Sequence, residues 1–366
     1  MEFKTTCTLL FFCLFSLTTV SQSNRPQTPK TPFNYTSEEL FFINHNADSI
    51  KLAGTITLPK DIKNPPVVIL ISGSGPQNRN EEIMGHKPFL VLSDYLSNNG
   101  IAVLRYDDRG IGKSEGDFNS ATTFDFATDV DAAIEYLKTR KDIDDAKIGL
   151  IGHSEGGLIA PIVASQNKDV AFIVSLAGTG IVGSEVILTQ SWEIAKQMGA
   201  PEATLKFNDT ISKMAYNVIE TETDSTQIKL KIKSKLNAYK EDNASSPYAF
   251  YINDQLIDKF NSLASNKWLT TFIKTNPQDY YAKTNCPVLA LNGSKDLQVL
   301  PKLNLNGIEQ ALKKANNKDV TIKELEGLNH LFQTSETGNP SEYIKIEETF
   351  SPIALEIIKD WILKRF

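Results

Sequence analysis

Apolar and polar positions divide this chain into stretches of two kinds. Val67-Val68-Ile69-Leu70-Ile71 is apolar on both faces, and similar runs end near residues 151, 176 and 292. A strand without a polar face is covered on both sides, as in the interior of a parallel sheet. Ahead of the first run, the pattern predicts strands over 39–43 and 50–58, joined by the polar turn 44–49, with Pro65-Pro66 stopping the chain before the next strand. Between the apolar runs lie stretches with helical spacing. One covers 89–96 and ends at Asn98-Asn99-Gly100, a helix C-cap signal; another, over 123–137, carries Asp125 and Asp129 near its start. A further strand is predicted over 101–105. The order to residue 178 is therefore β-β-β-α-β-α-β-α-β, which predicts α/β crossovers on a largely parallel sheet.

From residue 179 to 283 the β-runs stop. Helical spacing takes over at Val186/Gln190/Ile194, Ile211/Met214/Val218, Ile228/Ile232/Leu236 and Leu256/Phe260/Leu263, and two of the three tryptophans, Trp192 and Trp268, fall here. A helical insertion of this size over a sheet edge predicts a cap forming one wall of a substrate pocket. Aromatics at helical spacing mostly pack on one another, so no cap residue is singled out as a ligand. The sheet is expected to resume over 287–292, followed by a helix around 303–312, a strand over 320–325 and an amphipathic helix over 353–366. The expected layout is a body over 35–178 and 284–366, interrupted by a cap over 179–283.

Length and composition fit that layout. The 366 residues are 41% hydrophobic and 22% charged, enough for one large domain with an insertion. The net charge of −6 comes without any Lys/Arg block, so no nucleic-acid or anionic-membrane surface is expected. The N-terminus departs from this average. After Lys4 the chain is almost continuously apolar from residue 7 to 20, and Ser21 and Ser23 follow. That is the layout of a secretory signal over 1–21, too short to favour a spanning helix. A lipoprotein signal fits less well, because Phe11-Phe12-Cys13 lacks small residues before the cysteine. Residues 22–34, with three prolines, read as an extended linker. Removal of the signal would take Cys7 and Cys13 with it and leave Cys286 alone, so an exported, periplasmic or secreted protein without disulfides is expected, with no membrane anchor after processing.

The candidate chemistry sits at Gly152-His153-Ser154-Glu155-Gly156-Gly157, between an apolar β-run and a helical pattern that starts at Leu158. Gly-x-Ser-x-Gly at a strand–turn–helix junction lifts a serine hydroxyl clear of the sheet edge, and the flanking glycines let the turn close. Ser154 is the expected nucleophile. Two phosphate-loop readings fail elsewhere. Ser72-Gly73-Ser74-Gly75-Pro76 lacks the third glycine of a dinucleotide turn, and Gly110-Ile-Gly-Lys-Ser114 has Asp107 where a phosphate loop needs glycine. The first of these loops, following the third strand, instead suits an oxyanion donor: the Ser74 N–H, with that of Glu155 as the second. The 106–114 loop is expected to brace the site through Asp–Arg pairing.

A serine needs a base, and the base needs a carboxylate to hold its tautomer. Of the four histidines, His45 lies in the first hairpin and His86 in a long loop. His153 adjoins the serine, where its side chain must point away from the hydroxyl, so His330, after the last strand, is the expected base. Asp296, after a strand and a glycine, gives the order Ser, Asp, His; Glu185 is a weaker substitute acid.

With these motifs and Leu291-Asn-Gly-Ser-Lys-Asp-Leu-Gln-Val299, the chain from about residue 35 onward resembles the α/β-hydrolases, and within them bacterial carboxylesterases of the serine aminopeptidase-like group. The resemblance implies a mostly parallel eight-stranded sheet flanked by helices, with a cap after the sixth strand. It also implies Ser154 as nucleophile, Asp296 as acid and His330 as base, acting through an acyl-enzyme on a small-molecule ester of short to medium acyl chain. No cofactor and no metal are expected. A peptidase acting on short peptides and a non-catalytic binding protein on the same fold are the alternatives.

Overall fold

A computed structural model describes residues 25–366. The expected signal segment lies outside the described residues. The strands are β1 (Tyr35–Asn44), β2 (Ile50–Pro59), β3 (Val67–Ile71), β4 (Ala102–Tyr106), β5 (Ile148–His153), β6 (Val170–Leu176), β7 (Val288–Gly293) and β8 (Val320–Leu325). They form one sheet in the order β1-β2-β4-β3-β5-β6-β7-β8. β1 pairs with β2, and β2 with β4, antiparallel; every pair from β4 through β8 is parallel. The exchange of β3 and β4 puts β3 beside β5, so the loops after these two strands leave the same sheet edge next to each other.

Alternation along β3 sorts its side chains between two cores. Val68 and Leu70 pack with α1 (Pro88–Asn98) and α11 (Pro352–Leu363) on one face. Val67, Ile69 and Ile71 pack on the other with α2 (Thr123–Thr139) and α3 (Gly156–Ala164). All five are buried, which is why the run carries no polar residue. β1 extends four residues beyond the predicted start because Tyr35 to Glu38 pair with Pro59 to Ile56 through backbone alone. Most of those positions are exposed and polar, so hydrophobicity could not mark them.

Between β6 and β7 run α4 (Gly183–Gln197), α5 (Glu202–Thr221), α6 (Ser225–Asp242), α7 (Asp254–Ser265), α8 (Lys267–Lys274) and the short α9 (Gln278–Tyr281). Much of the predicted helical spacing falls on their buried stripes: Ile211 and Val218 of α5, Ile228, Ile232 and Leu236 of α6, and Leu256 and Phe260 of α7, while Met214 and Leu263 are only half-buried and Ala215 takes the buried place beside Met214. This apolar interior is continuous with the core on the α2/α3 face. After β7, α10 (Pro301–Lys314) leads back to β8.

Buried ion pairs brace the loops at the sheet edge. Arg79 donates to both carboxylate oxygens of Asp107, from Nε at 3.0 Å and Nη2 at 2.8 Å. Arg109 grips Asp129 of α2 in the same two-pronged way, at 2.8 Å on each oxygen. The Asp–Arg bracing expected of the 106–114 loop takes this form. Residues 25–27 lie within the expected linker over 22–34, yet they are pinned down. Arg25 donates to the carbonyls of Ile346 (2.5 Å) and Met84 (3.0 Å), and Gln27 exchanges hydrogen bonds with the backbone of Thr349 and Phe350.

Candidate active site

Ser154 follows the last residue of β5 and has φ of +53°, a left-handed conformation that costs a non-glycine residue roughly 1–3 kcal/mol. Its N–H is held by the Leu176 carbonyl at 2.9 Å, and its own carbonyl accepts the Gly157 N–H at 2.9 Å. The turn closes only because its glycines lack side chains. A Cβ on Gly152 would lie 2.0 Å from the Gly156 carbonyl oxygen, and one on Gly156 would lie 2.1 Å from that of Ile71. α3 begins at Gly156, so its positive end points at the serine.

Ser154, His330, Ser74 and Glu155 line one cleft of about 130 Å³. His330 lies in the loop after β8, and its Nδ1 meets Oδ2 of Asp296 at 2.7 Å. Both side chains are buried. The other Asp296 oxygen accepts the N–H groups of Gln298 (2.8 Å) and Val299 (2.9 Å), which fix the carboxylate's orientation. Facing nothing but acceptor oxygens, Nδ1 carries the imidazole hydrogen, which leaves Nε2 able to take a proton. Glu185, the substitute acid considered above, is exposed at the start of α4. His45 is exposed and near Ser49; His86 is fully buried, bonded to Thr349 and the Tyr343 carbonyl.

The loop after β3 reaches the serine with Gly73 and Ser74. Its path is set by Asp108, which accepts from the Ser72 hydroxyl (2.8 Å) and the Gln77 N–H (2.9 Å). Burial pushes the Asp108 carboxyl up to about 8, against those two donors and with the carboxylates of Asp129 and Glu155 adding to the effect. The Gly73 N–H is taken by Glu81 at 2.7 Å.

The contacts of three side chains, Glu155, Glu81 and Gln298, escaped the sequence. The Glu155 side chain, buried beneath the cleft, accepts from the Thr123 hydroxyl of α2 and from the Trp268 indole of α8, each at 2.7 Å, and from Ser74. Burial raises its pKa and these donors lower it, leaving it above the usual carboxylate range. Trp268 thereby ties α8 to the residue after Ser154, and with Val186, Ile187 and Phe272 it forms an apolar wall. Glu81 meets His153 at 2.8 Å, so His153 does turn from the serine hydroxyl. Gln298 lines the cleft and donates to the Tyr343 hydroxyl at 2.8 Å. Helical spacing marks Trp268 as a packing residue, and nothing in the polar run around Glu81 signals its partner. Among the described residues, no cluster of His, Cys, Asp and Glu could hold a metal ion.

A family model described as serine aminopeptidase, S33, matches residues 87–337. The chain is 28% identical over 315 residues to esterase EstD of Thermotoga maritima, a match covering 86% of this chain and 66% of that protein. It is 33% identical over 151 residues to an acyl transferase of Shewanella woodyi, covering 39% of this chain and 45% of the relative. The chain thus spans less than two thirds of the length of these curated relatives. Among solved structures, an esterase of Pyrococcus furiosus superposes with a TM-score of 0.52 at 16% identity, covering 90% of this chain and 91% of that one.

Proposed function

Because this chain belongs to the serine aminopeptidase S33 family, on an α/β-hydrolase fold, we propose that it is a serine hydrolase cleaving carboxylic esters of short to medium acyl chain. The observation that carries this reading is a strained serine opening on a cleft shared with a histidine already bonded to a buried aspartate at 2.7 Å. Ser154 attacks the ester carbonyl while His330 takes its proton at Nε2, and Asp296 keeps the imidazolium in place. The oxyanion forms between the N–H groups of Ser74 and Glu155, at the positive end of α3. His330 returns the proton to the leaving alcohol, and water, activated by the same base, releases the acyl group.

The cleft itself favours esters over peptides. A peptidase that trims amino termini needs a carboxylate to receive the substrate's ammonium, and of those lining the cleft Glu155 already accepts from Thr123, Trp268 and Ser74, while Glu81 is bonded to the Gly73 N–H and His153. The apolar wall of Val186, Ile187, Trp268 and Phe272 suits an acyl chain. Labelling with a fluorophosphonate, followed by kcat/KM for p-nitrophenyl esters beside aminoacyl p-nitroanilides, tests this. Esters are expected to be cleaved far faster. Anilides turned over at matching rates would make the protein a peptidase, and an unlabelled serine would make it a binding protein.

Export is part of the same proposal, resting on the apolar run between residues 7 and 20. Intact-mass measurement of protein from its native host should find a chain lacking about the first 21 residues, in the periplasm or the medium. A chain still starting at Met1 refutes export by a cleaved signal.

A further inference from the structure

Two loops flank Ser154, and one buried chain of side-chain contacts joins them. His153, the last residue of β5, is 7% exposed. Its Nε2 lies 2.9 Å from the backbone carbonyl oxygen of His330, and its Nδ1 lies 2.8 Å from Oε1 of Glu81. A carbonyl oxygen only accepts, so Nε2 bears a hydrogen. The same Glu81 oxygen receives the Gly73 N–H at 2.7 Å, as an ionised carboxylate does. Nδ1 therefore meets it as a second donor, and the ring with both nitrogens donating is an imidazolium.

We propose that His153 is a positioning residue for the proposed hydrolysis: held as a cation by Glu81, it ties the Gly73–Ser74 turn to the His330 loop and sets the pH range in which His330 serves as base. The assignment rests on the esterase reading only for the reaction it serves; the charged pair stands on its own geometry. The imidazole rings of His153 and His330 are 4.8 Å apart, tilted by 47°. A proton arriving on His330 during attack thus meets a positive neighbour, whose field favours handing that proton on to the leaving group. The junction is tight. A Cβ on Gly73 would sit 3.2 Å from Cβ of Ser154, 3.3 Å from Oε1 of Glu81 and 3.4 Å from Nδ1 of His153. Glu81 itself holds φ of +51°, a conformation kept by its surroundings.

The local charges agree with a cation at His153. Burial opposes it, but the Glu81 charge and hydrogen bond, the His330 carbonyl and the Asp296 charge outweigh burial and raise its pKa. On the far side of His330 stands Asp296, with the Tyr343 hydroxyl reached through Gln298. Glu155, one residue beyond the serine, is bonded away to Thr123 and Trp268. Of these neighbours only His153 supplies positive charge to His330.

Proton NMR titration of the four imidazoles, assigned with single His→Gln variants, tests the proposal together with the pH dependence of kcat/KM for p-nitrophenyl acetate. His153 should remain charged through neutral pH. Removing its charge with H153Q exposes His330 to Glu81, so the acid limb of kcat/KM and the His330 resonance should both move up by about one pH unit. Adding E81Q to H153Q should return most of that shift while kcat stays depressed, because the tie between the loops is still missing. A His153 that is neutral at pH 7, or a His330 titration unmoved by H153Q, overturns the proposal. If H153Q does not fold, the wild-type titration and E81Q decide: His153 should lose its charge at lower pH in E81Q, and an unchanged titration overturns the pairing. These resonances need no turnover, so a wild-type chain inert toward esters refutes the esterase reading while the titration still judges the pair.

Discussion

Ser154→Ala and His330→Ala should each reduce kcat on an ester by roughly 10⁴- to 10⁶-fold, and the double variant should be little worse than either, because the groups act as a unit. The expectation follows from the placement of both side chains on one cleft, with the base already oriented by Asp296 at 2.7 Å. Asp296→Asn should cost less, since it keeps the shape of the site but presents a donor where Nδ1–H needs an acceptor. His45→Ala, remote and exposed, should leave turnover near wild type. The measurement is kcat on p-nitrophenyl esters beside circular dichroism to establish folding. A folded His45→Ala as damaged as His330→Ala would overturn the assignment of the base.

The largest expected effect on stability lies away from the serine. Arg109→Ala should destabilise the protein by about 3–5 kcal/mol at pH 7, because it strands a buried carboxylate without its partner. Arg109 is 7% exposed and Asp129 is 1% exposed. Besides its two bonds to Asp129, the guanidinium donates to the Asp125 carbonyl at 2.6 Å, so the start of α2 loses three contacts together. The pH dependence has a definite sign. Burial holds the Asp129 carboxyl above its ordinary range even with Arg109 present. Without the cation it rises further, the folded variant binds a proton more readily than the unfolded chain, and its deficit should shrink as pH falls from 7. Urea unfolding at several pH values checks this, and Arg109→Ala/Asp129→Asn should recover much of the loss. A deficit below about 1 kcal/mol would show the pair to be dispensable, and one that is constant with pH would show that the stranded Asp129 carboxylate is not its cause.

Most of the sheet was legible because its strands are buried on both faces. A run such as Val67 to Ile71 has no other way to be apolar at every position. The segment between β6 and β7 was legible as helix for the opposite reason: Ile228, Ile232 and Leu236 mark a buried stripe on a largely polar α6. The junction around Ser154 could be inferred from composition in part: Gly152 answers to a clash with Gly156 in the same turn, whereas Gly156 answers to the Ile71 carbonyl of β3. What escaped are pairings that exist only after distant loops meet. Glu81 and His153 are 72 positions apart, Trp268 and Glu155 are 113 apart, and Arg25 reaches a carbonyl 321 positions away. Periodicity is silent on such pairs, because neither partner's neighbours record the approach. The outer half of β1 was missed for a related reason, as its pairing uses backbone groups that every residue carries.

The clasp made by Arg25 and Gln27 has a consequence for the order of events during synthesis. Their partners, the backbone of residues 344–350, are bonded in turn to the His330 loop: the Gln333 side chain donates to the Glu348 carbonyl at 3.0 Å, and the Ser351 N–H to that of Phe332 at 2.8 Å. A growing chain emerges N-terminus first, at about 5–20 residues per second. Arg25 therefore appears 321 positions before the Ile346 carbonyl that it fastens. The Ser154 turn and α3 can form while the clasp has nothing to close on. Bracing of the His330 loop thus waits on synthesis of residues 344–350, and a nascent chain halted before residue 344 carries Ser154 and His330 without that brace.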